Sequence, residues 1–190
     1  MLFVGNQRGG ARDLARHLMS QDNDHVEIHE MRGFALDRLQ GAFLEAHDIA
    51  KGTKCSQFLY SLSVNPPPKE EATTRDFEEA IDRAEARLGL EGQPRAIVFH
   101  EKNGRRHAHA VWSRIDADEM KAVSMSHDRV KLQEVSKALY REHGWRMPDG
   151  MVDRSLKDPT NFTLAEWRQA KRAGHDPRDV KTVLQDAWAV

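Results

Sequence analysis

The sequence predicts an α/β sandwich: a mainly antiparallel sheet with helices packed on it. Three observations carry this expectation. Strand-like and helix-like hydrophobic periodicities alternate along the chain in the order β-α-β-α-β-α-β-β-α-α-α. The two strand-like runs that follow one another directly meet at Asn103-Gly104, a tight-turn dipeptide that makes them an antiparallel hairpin. A length of 190 residues fits one domain, 1–147, long enough to bury a real core, with a helical extension over 148–190.

Residues 1–5 read as a short strand. Gly9-Gly10 then releases ARDLARHLMSQ, where Ala11, Leu14, Ala15 and Leu18 recur at helical spacing. HVEIHEMRGF is strand-like, with Val26, Ile28 and Glu30 on one face and His25, Glu27 and His29 on the other. Residues 36–49 are helical again, ended by Lys51-Gly52-Thr53. Residues 57–64 alternate, with Phe58, Tyr60, Leu62 and Val64 facing one way, until Pro66-Pro67-Pro68 stops the strand. Thr74 and Asp76 offer N-caps for a helix through Phe77, Ile81, Ala84 and Leu88, closed by Gly89. After the hairpin, residues 127–143 form an amphipathic helix burying Val130, Val135, Ala138 and Leu139, stopped by Gly144. Two shorter helices, 163–173 and 177–189, complete the chain, with Phe162, Leu164, Trp167, Val180, Val183, Leu184 and Trp188 available to bury.

Composition excludes several classes. Charged residues make up 31% of the chain but the net charge is −1, so any nucleic-acid contact rests on local patches and not on global basicity. Cys55 is alone, which excludes a disulfide framework and a cysteine-based zinc site. With no signal-like or long apolar stretch, the expectation is a soluble cytoplasmic protein without membrane insertion.

The most informative run is AIVFHEKNGRRHAHAVWSRID. His107 and His109 stand two apart in an alternating strand, hence on one face and about 7 Å apart. His100, on the adjoining strand, is placed to be a third imidazole beside them. Neutral imidazole is the commonest protein ligand for divalent metals, and three of them converging make a metal site. Solvated or core histidines are the alternative, but burying three unpartnered imidazoles carries a desolvation cost with nothing to offset it.

These residues resemble the relaxases, the mobilisation nucleases of conjugative and mobilisable plasmids, within the HUH endonuclease superfamily. HEKNGRRHAHAVWSRID is similar to the relaxase metal motif, in which one His precedes an H-x-H pair by seven residues. The glycine-led first helix, the SQFLYSLSV strand and the DRVKLQEVSKALYREHGW helix add to the likeness, which spans Gly9 to about Arg146. The resemblance implies an enzyme that nicks one strand at a transfer origin and stays covalently bound to the 5′ phosphate. It also implies Mg or Mn held by His100, His107 and His109, with single-stranded origin DNA, accessory transfer proteins and a secretion apparatus as partners.

One departure from the family stands out. Relaxases usually carry a nucleophilic tyrosine in the first helix, in a pattern like x-x-L-x-x-Y; here ARDLARHL puts His17 at that position. The chain has two tyrosines, Tyr60 and Tyr140, both at spacings typical of packing. Since one branch of relaxases uses histidine, His17 is the candidate nucleophile. Glu101, after the first metal histidine, is a candidate to orient a ligand or take a proton, with a solvated hairpin charge as its alternative. Asp116 is a similar case. Candidate DNA contacts are Arg12 and Arg16 on the first helix, Lys54 before the central strand, and Lys102, Arg105 and Arg106 at the hairpin turn. Trp112 or Phe34 is a candidate to stack a base, with core packing as the alternative. Three other readings stay open: a catalytically silent origin-binding module, a replication-initiator-type nuclease using Tyr140, and a simple metal-dependent hydrolase.

Overall fold

The computed structural model of the chain describes residues 1–20, 22–156, 164–176 and 178–179. The chain divides into two compact units, Met1–Trp145 and Arg146–Val190. The first contains a five-stranded sheet of β1 (Leu2–Arg8), β2 (His25–Arg32), β3 (Leu59–Asn65), β4 (Arg95–Lys102) and β5 (Arg105–Ser113). The strands lie in the order β1-β3-β5-β4-β2, and every neighbouring pair is antiparallel. Four helices belong to the same unit: α1 (Ala11–Leu18), α2 (Leu39–Ala50), α3 (Thr74–Leu88) and α4 (Asp128–Glu142).

The pleat sends alternate side chains into two cores. On one face, Tyr60, Leu62, Val64, Ile97, Phe99, Ala108, Ala110 and Trp112 pack with Phe77 and Ile81 of α3 and Leu132 and Leu139 of α4. On the other, Leu59, Ala96, Val98 and Val111 pack with Leu14 and Leu18 of α1 and Ala42 and Phe43 of α2. The helices therefore cover both faces of the sheet.

Several local expectations are corrected. The first strand runs on to Arg8 because its whole length pairs with β3, Leu2 opposite Asn65 and Arg8 opposite Leu59. Phe58 does not share a face with Tyr60: it precedes β3 and packs with Leu59 on the α1/α2 side. A register shift between Ile28 and Glu30 breaks the alternation of β2, leaving Ile28 40% exposed. The cap of α3 is Thr73, not Thr74 or Asp76. Thr73 Oγ1 accepts from Asp76 N while the Asp76 carboxylate accepts from Thr73 N at 2.7 Å, a capping box. Gly89 closes α3 in the left-handed conformation at φ +74°, as expected. In α4 the buried stripe is Leu132, Val135, Ser136, Leu139 and Tyr140; Val130 lies off that stripe and is 55% exposed.

A short hairpin, β6 (Ile115–Asp116) with β7 (Lys121–Ala122), follows β5 and was not legible in the sequence. Asp116 Oδ1 accepts from the backbone N–H groups of Asp118 and Glu119, so this carboxylate shapes a turn. Trp112 is wholly buried and its indole N–H donates to Glu85 at 2.7 Å, which removes it as a base-stacking surface. Phe34 packs edge-on against Phe43.

In the second unit lie α5 (Asp149–Val152), a 3-10 turn at Arg154–Leu156 and α6 (Leu164–Arg172), the counterpart of the helix expected at 163–173. Of the helix expected over 177–189 only 178–179 are described, and Phe162, Val180, Val183, Leu184 and Trp188 lie outside the described residues. Among the described residues no helix is long and apolar enough to cross a membrane.

Candidate metal centre and active site

The β4–β5 hairpin builds the site. Asn103 and Gly104 both have positive φ, +51° and +68°, as a two-residue primed turn requires. That turn sets the register. His100 stands directly opposite His107, and His109 opposite Val98. By alternation the three imidazoles share the face of Ala96, Val98 and Val111, the side covered by α1 and α2. Their ring centroids are 5.2 Å (His100–His107), 4.7 Å (His100–His109) and 5.2 Å (His107–His109) apart. One ring nitrogen from each lies within 4.8 Å of the others, so the trio could hold a metal ion.

Electrostatics suit that role. Burial lowers the proton affinity of all three, and the neighbouring imidazoles add to the effect at His107 and His109, taking His109 down to about 3. At neutral pH the rings are therefore unprotonated donors. Lys102 and Arg105 add to the lowering at His107, and the neighbouring His17 ring adds to it at His100 and His109. A cation held there would keep its charge largely uncompensated, as polarising a phosphate requires.

His17 joins the cluster from α1. It is exposed, and its ring centroid lies 6.4 Å from that of His109 in an edge-on arrangement. The last turn of α1 is fixed over the site by a 2.7 Å hydrogen bond between His100 Nε2 and the Leu18 carbonyl. Both tyrosines lie elsewhere. Tyr60 is wholly buried in the α3/α4 core and donates its hydroxyl to Asp128 at 2.9 Å; burial and that carboxylate push its pKa up. Tyr140 is 1% exposed on α4, burial pushes its pKa up, and its ring packs on Trp145. The reading of Tyr140 as a nucleophile is corrected accordingly: it shares α4's buried stripe, turned away from solvent.

The pleat sorts the residues at the hairpin tip. Lys102 and Arg105 stand opposite each other across the hairpin at positions on the histidine side, and both charges reach His107, while the Arg105 guanidinium also donates to the Pro66 carbonyl at 3.4 Å. Glu101 and Arg106, also paired, stand on the opposite side. Glu101 is thus directed away from the metal face, contrary to the role expected for it. Arg106 is occupied: its guanidinium lies 4.0 Å above the Phe99 ring and donates to Thr74 Oγ1 at 2.9 Å. On α1, Arg12 and Arg16 are exposed, with Arg16 3.3 Å from Asp13. Arg12 lines a hollow of about 630 Å³ with Gly9, Gly10, His47 and Lys51, and exposed Lys54 lines an adjoining one of about 390 Å³.

Sequence reasoning missed two supports of the site. One is the Leu18 carbonyl. The other is Asp24, which accepts from Asn103 N at 2.7 Å while its own N–H donates to the Glu101 carbonyl at 2.8 Å, tying the turn to the loop after α1. Both act through the main chain, so side-chain type gives little signal.

No curated protein matches this sequence. Residues 15–145, which span the end of α1, the whole hairpin and α4, match the family model described as the MobA/VirD2-like relaxase nuclease domain. An imidazole trio on a sheet hairpin, roofed by a short first helix, sits inside that matched segment, and the chain belongs to the MobA/VirD2-like relaxase nuclease family, enzymes that cut and transfer DNA strands.

Proposed function

We propose that the protein nicks and rejoins one strand of DNA at a plasmid transfer origin, through a covalent 5′-phosphate intermediate on His17. The observation that carries this reading is the placement of His17 beside His109, on the metal face, with both tyrosines buried elsewhere. His100, His107 and His109 would hold a divalent cation, Mg or Mn; when bound, it supplies charge neutralisation and geometry at the scissile phosphate.

The chain's own groups then do the following. The unprotonated ring nitrogen of His17 attacks phosphorus in line, forming an N–P bond as the P–O3′ bond breaks. The departing 3′ oxygen ends as a hydroxyl, taking through solvent the proton the imidazole gives up from its other nitrogen. The phosphoramidate left on His17 is reversible: the 3′ hydroxyl attacks it, re-forms the phosphodiester and returns the proton. Lys102 and Arg105 pair with phosphates flanking the cut, and Arg12, Arg16 and Lys54 extend the contact along α1 and the 51–56 loop. This reading calls for a protein in the cytoplasm of a bacterium, with accessory transfer proteins and a secretion apparatus as partners.

The test incubates the protein with single-stranded origin DNA and Mn, then maps any protein–nucleotide adduct by mass. The expected adduct is on His17, acid-labile and alkali-resistant. An adduct on Tyr60 or Tyr140, or full nicking by His17→Ala, refutes the assignment.

A further inference from the structure

The nitrogen that His100 offers to a metal is set by α1. Its Nε2 lies 2.7 Å from the Leu18 carbonyl, and both groups are buried. A carbonyl only accepts, so Nε2 must carry the proton and donate. In the neutral ring this leaves Nδ1 as the lone-pair nitrogen. The Leu18 carbonyl belongs to the last turn of α1, where main-chain oxygens lack partners within the helix. The oxygens of Ala15 and His17 are already taken there by the N–H groups of Met19 and Ser20, so the Leu18 oxygen reaches across to the hairpin. Histidines that bind metals commonly fix their tautomer and orientation by donating the second ring N–H to a carboxylate or a backbone carbonyl. Here the acceptor is next in sequence to His17.

We propose that His100 ligates the metal through Nδ1 and acts, through its Nε2–H bond to Leu18, as the positioning residue that couples metal binding to the end of α1 carrying His17. A cation on Nδ1 withdraws electron density from the ring and makes Nε2–H a stronger donor. Metal binding therefore tightens the tether and holds the last turn of α1 against the sheet. The consequence is a strengthened clamp: the bond that already fixes the helix end without metal tightens when the cation is in place. This deepens the proposed reaction and rests on it only for the role of His17; the tautomer and the clamp concern the metal and the helix alone.

The experiment uses the full chain labelled with 15N-histidine and titrated with 113Cd(II). The expected spectrum shows cadmium coupled to His100 Nδ1 with the proton on Nε2. In parallel, hydrogen exchange is followed by mass spectrometry with and without Mn. Peptides covering residues 15–20 should exchange at least threefold more slowly when the metal is bound. His100→Gln places an amide N–H near the Nε2 position but has no Nδ1; it should bind Mn at least tenfold more weakly, with no metal-dependent change in exchange over residues 15–20. Cadmium coupled to Nε2, equal exchange over residues 15–20 in metal-bound and metal-free protein, or no metal binding at all each overturns the proposal. An adduct on His17 without metal-dependent protection would sink the clamp and leave the reaction standing. Protection together with an adduct elsewhere would do the reverse.

Discussion

Replacing Gly5 with alanine tests whether Tyr60 is a packing residue or a reacting one. Gly5 sits in β1 opposite Leu62, and a Cβ placed there would overlap Tyr60 Oη while lying 2.7 Å from its Cζ and 3.1 Å from Leu132 Cδ1. Tyr60 is wholly buried and Leu132 nearly so, which leaves the ring little room to retreat. Forcing a methyl into a packed core costs about 1–3 kcal/mol. Displacing the hydroxyl from Asp128 costs about 1–3 kcal/mol more. Against this, alanine gains about 0.4–1 kcal/mol by restricting the unfolded chain. The expected destabilisation of Gly5→Ala is therefore about 2–5 kcal/mol, read by urea unfolding. Tyr60→Phe alone should cost about 1–3 kcal/mol, since it removes only the hydrogen bond. The double variant should be less destabilised than the sum by at least about 1 kcal/mol, because phenylalanine has no Oη for the new methyl to meet. Tyr60→Phe, where folded, should form the DNA adduct as fully as the unaltered protein. Additive costs, or a folded Tyr60→Phe that forms no adduct, would refute this account of Gly5 and Tyr60.

Three further outcomes follow from the charges. Arg95 is buried at the start of β4, within 2.6–2.7 Å of Glu30, Asp82 and Glu85, so Arg95→Ala should cost about 3–5 kcal/mol in thermal or urea unfolding by leaving the buried Glu85 carboxylate with only Arg32 and Trp112. In metal-free protein, His109 resists protonation down to about 3 while the unfolded chain takes up a proton near pH 6.5. The unfolded state then binds more protons between those values, and stability is lost as pH falls: about 2 kcal/mol by pH 5 from this group. The slope should flatten in His109→Gln, and an equal slope in both proteins would contradict the assignment. For DNA, Lys102→Ala with Arg105→Ala should reduce the salt dependence of single-strand binding by about 0.7 per lost contact, whereas Arg106→Ala, whose side chain is engaged with Phe99 and Thr74, should leave that slope unchanged.

The convergence of the three histidines was legible in the sequence because it depends on two short-range rules. Alternation puts His107 and His109 on one face, and Asn103-Gly104 fixes the turn that brings His100 opposite. The same alternation, applied one residue further, separates Lys102 and Arg105 from Glu101 and Arg106. Position 17 is different: its approach to His109 depends on how α1 crosses the sheet, and no periodicity encodes a crossing. The family likeness supplied it. Phe58 and Val130 were misplaced because each lies just outside or at the first turn of its element, where period alone does not say which side chain still belongs to the stripe. The shift in β2 between Ile28 and Glu30 escaped for a related reason, since an inserted residue leaves composition unchanged and only resets the phase.

The Asn103-Gly104 turn has a consequence for how this hairpin can change over time. Side-chain facing has a period of two, so sliding β5 by a single residue against β4 would drive His107 and His109 into the side now filled by Ala108 and Ala110. One deleted or inserted residue beyond the turn would thus remove the imidazole pair in a single event, without touching either histidine codon. Replacing Asn103 and Gly104 by β-branched residues, which disfavour positive φ, would bias the strands toward such slips. Lineages that vary this loop should therefore keep metal binding when its length changes by two and lose it when the change is odd.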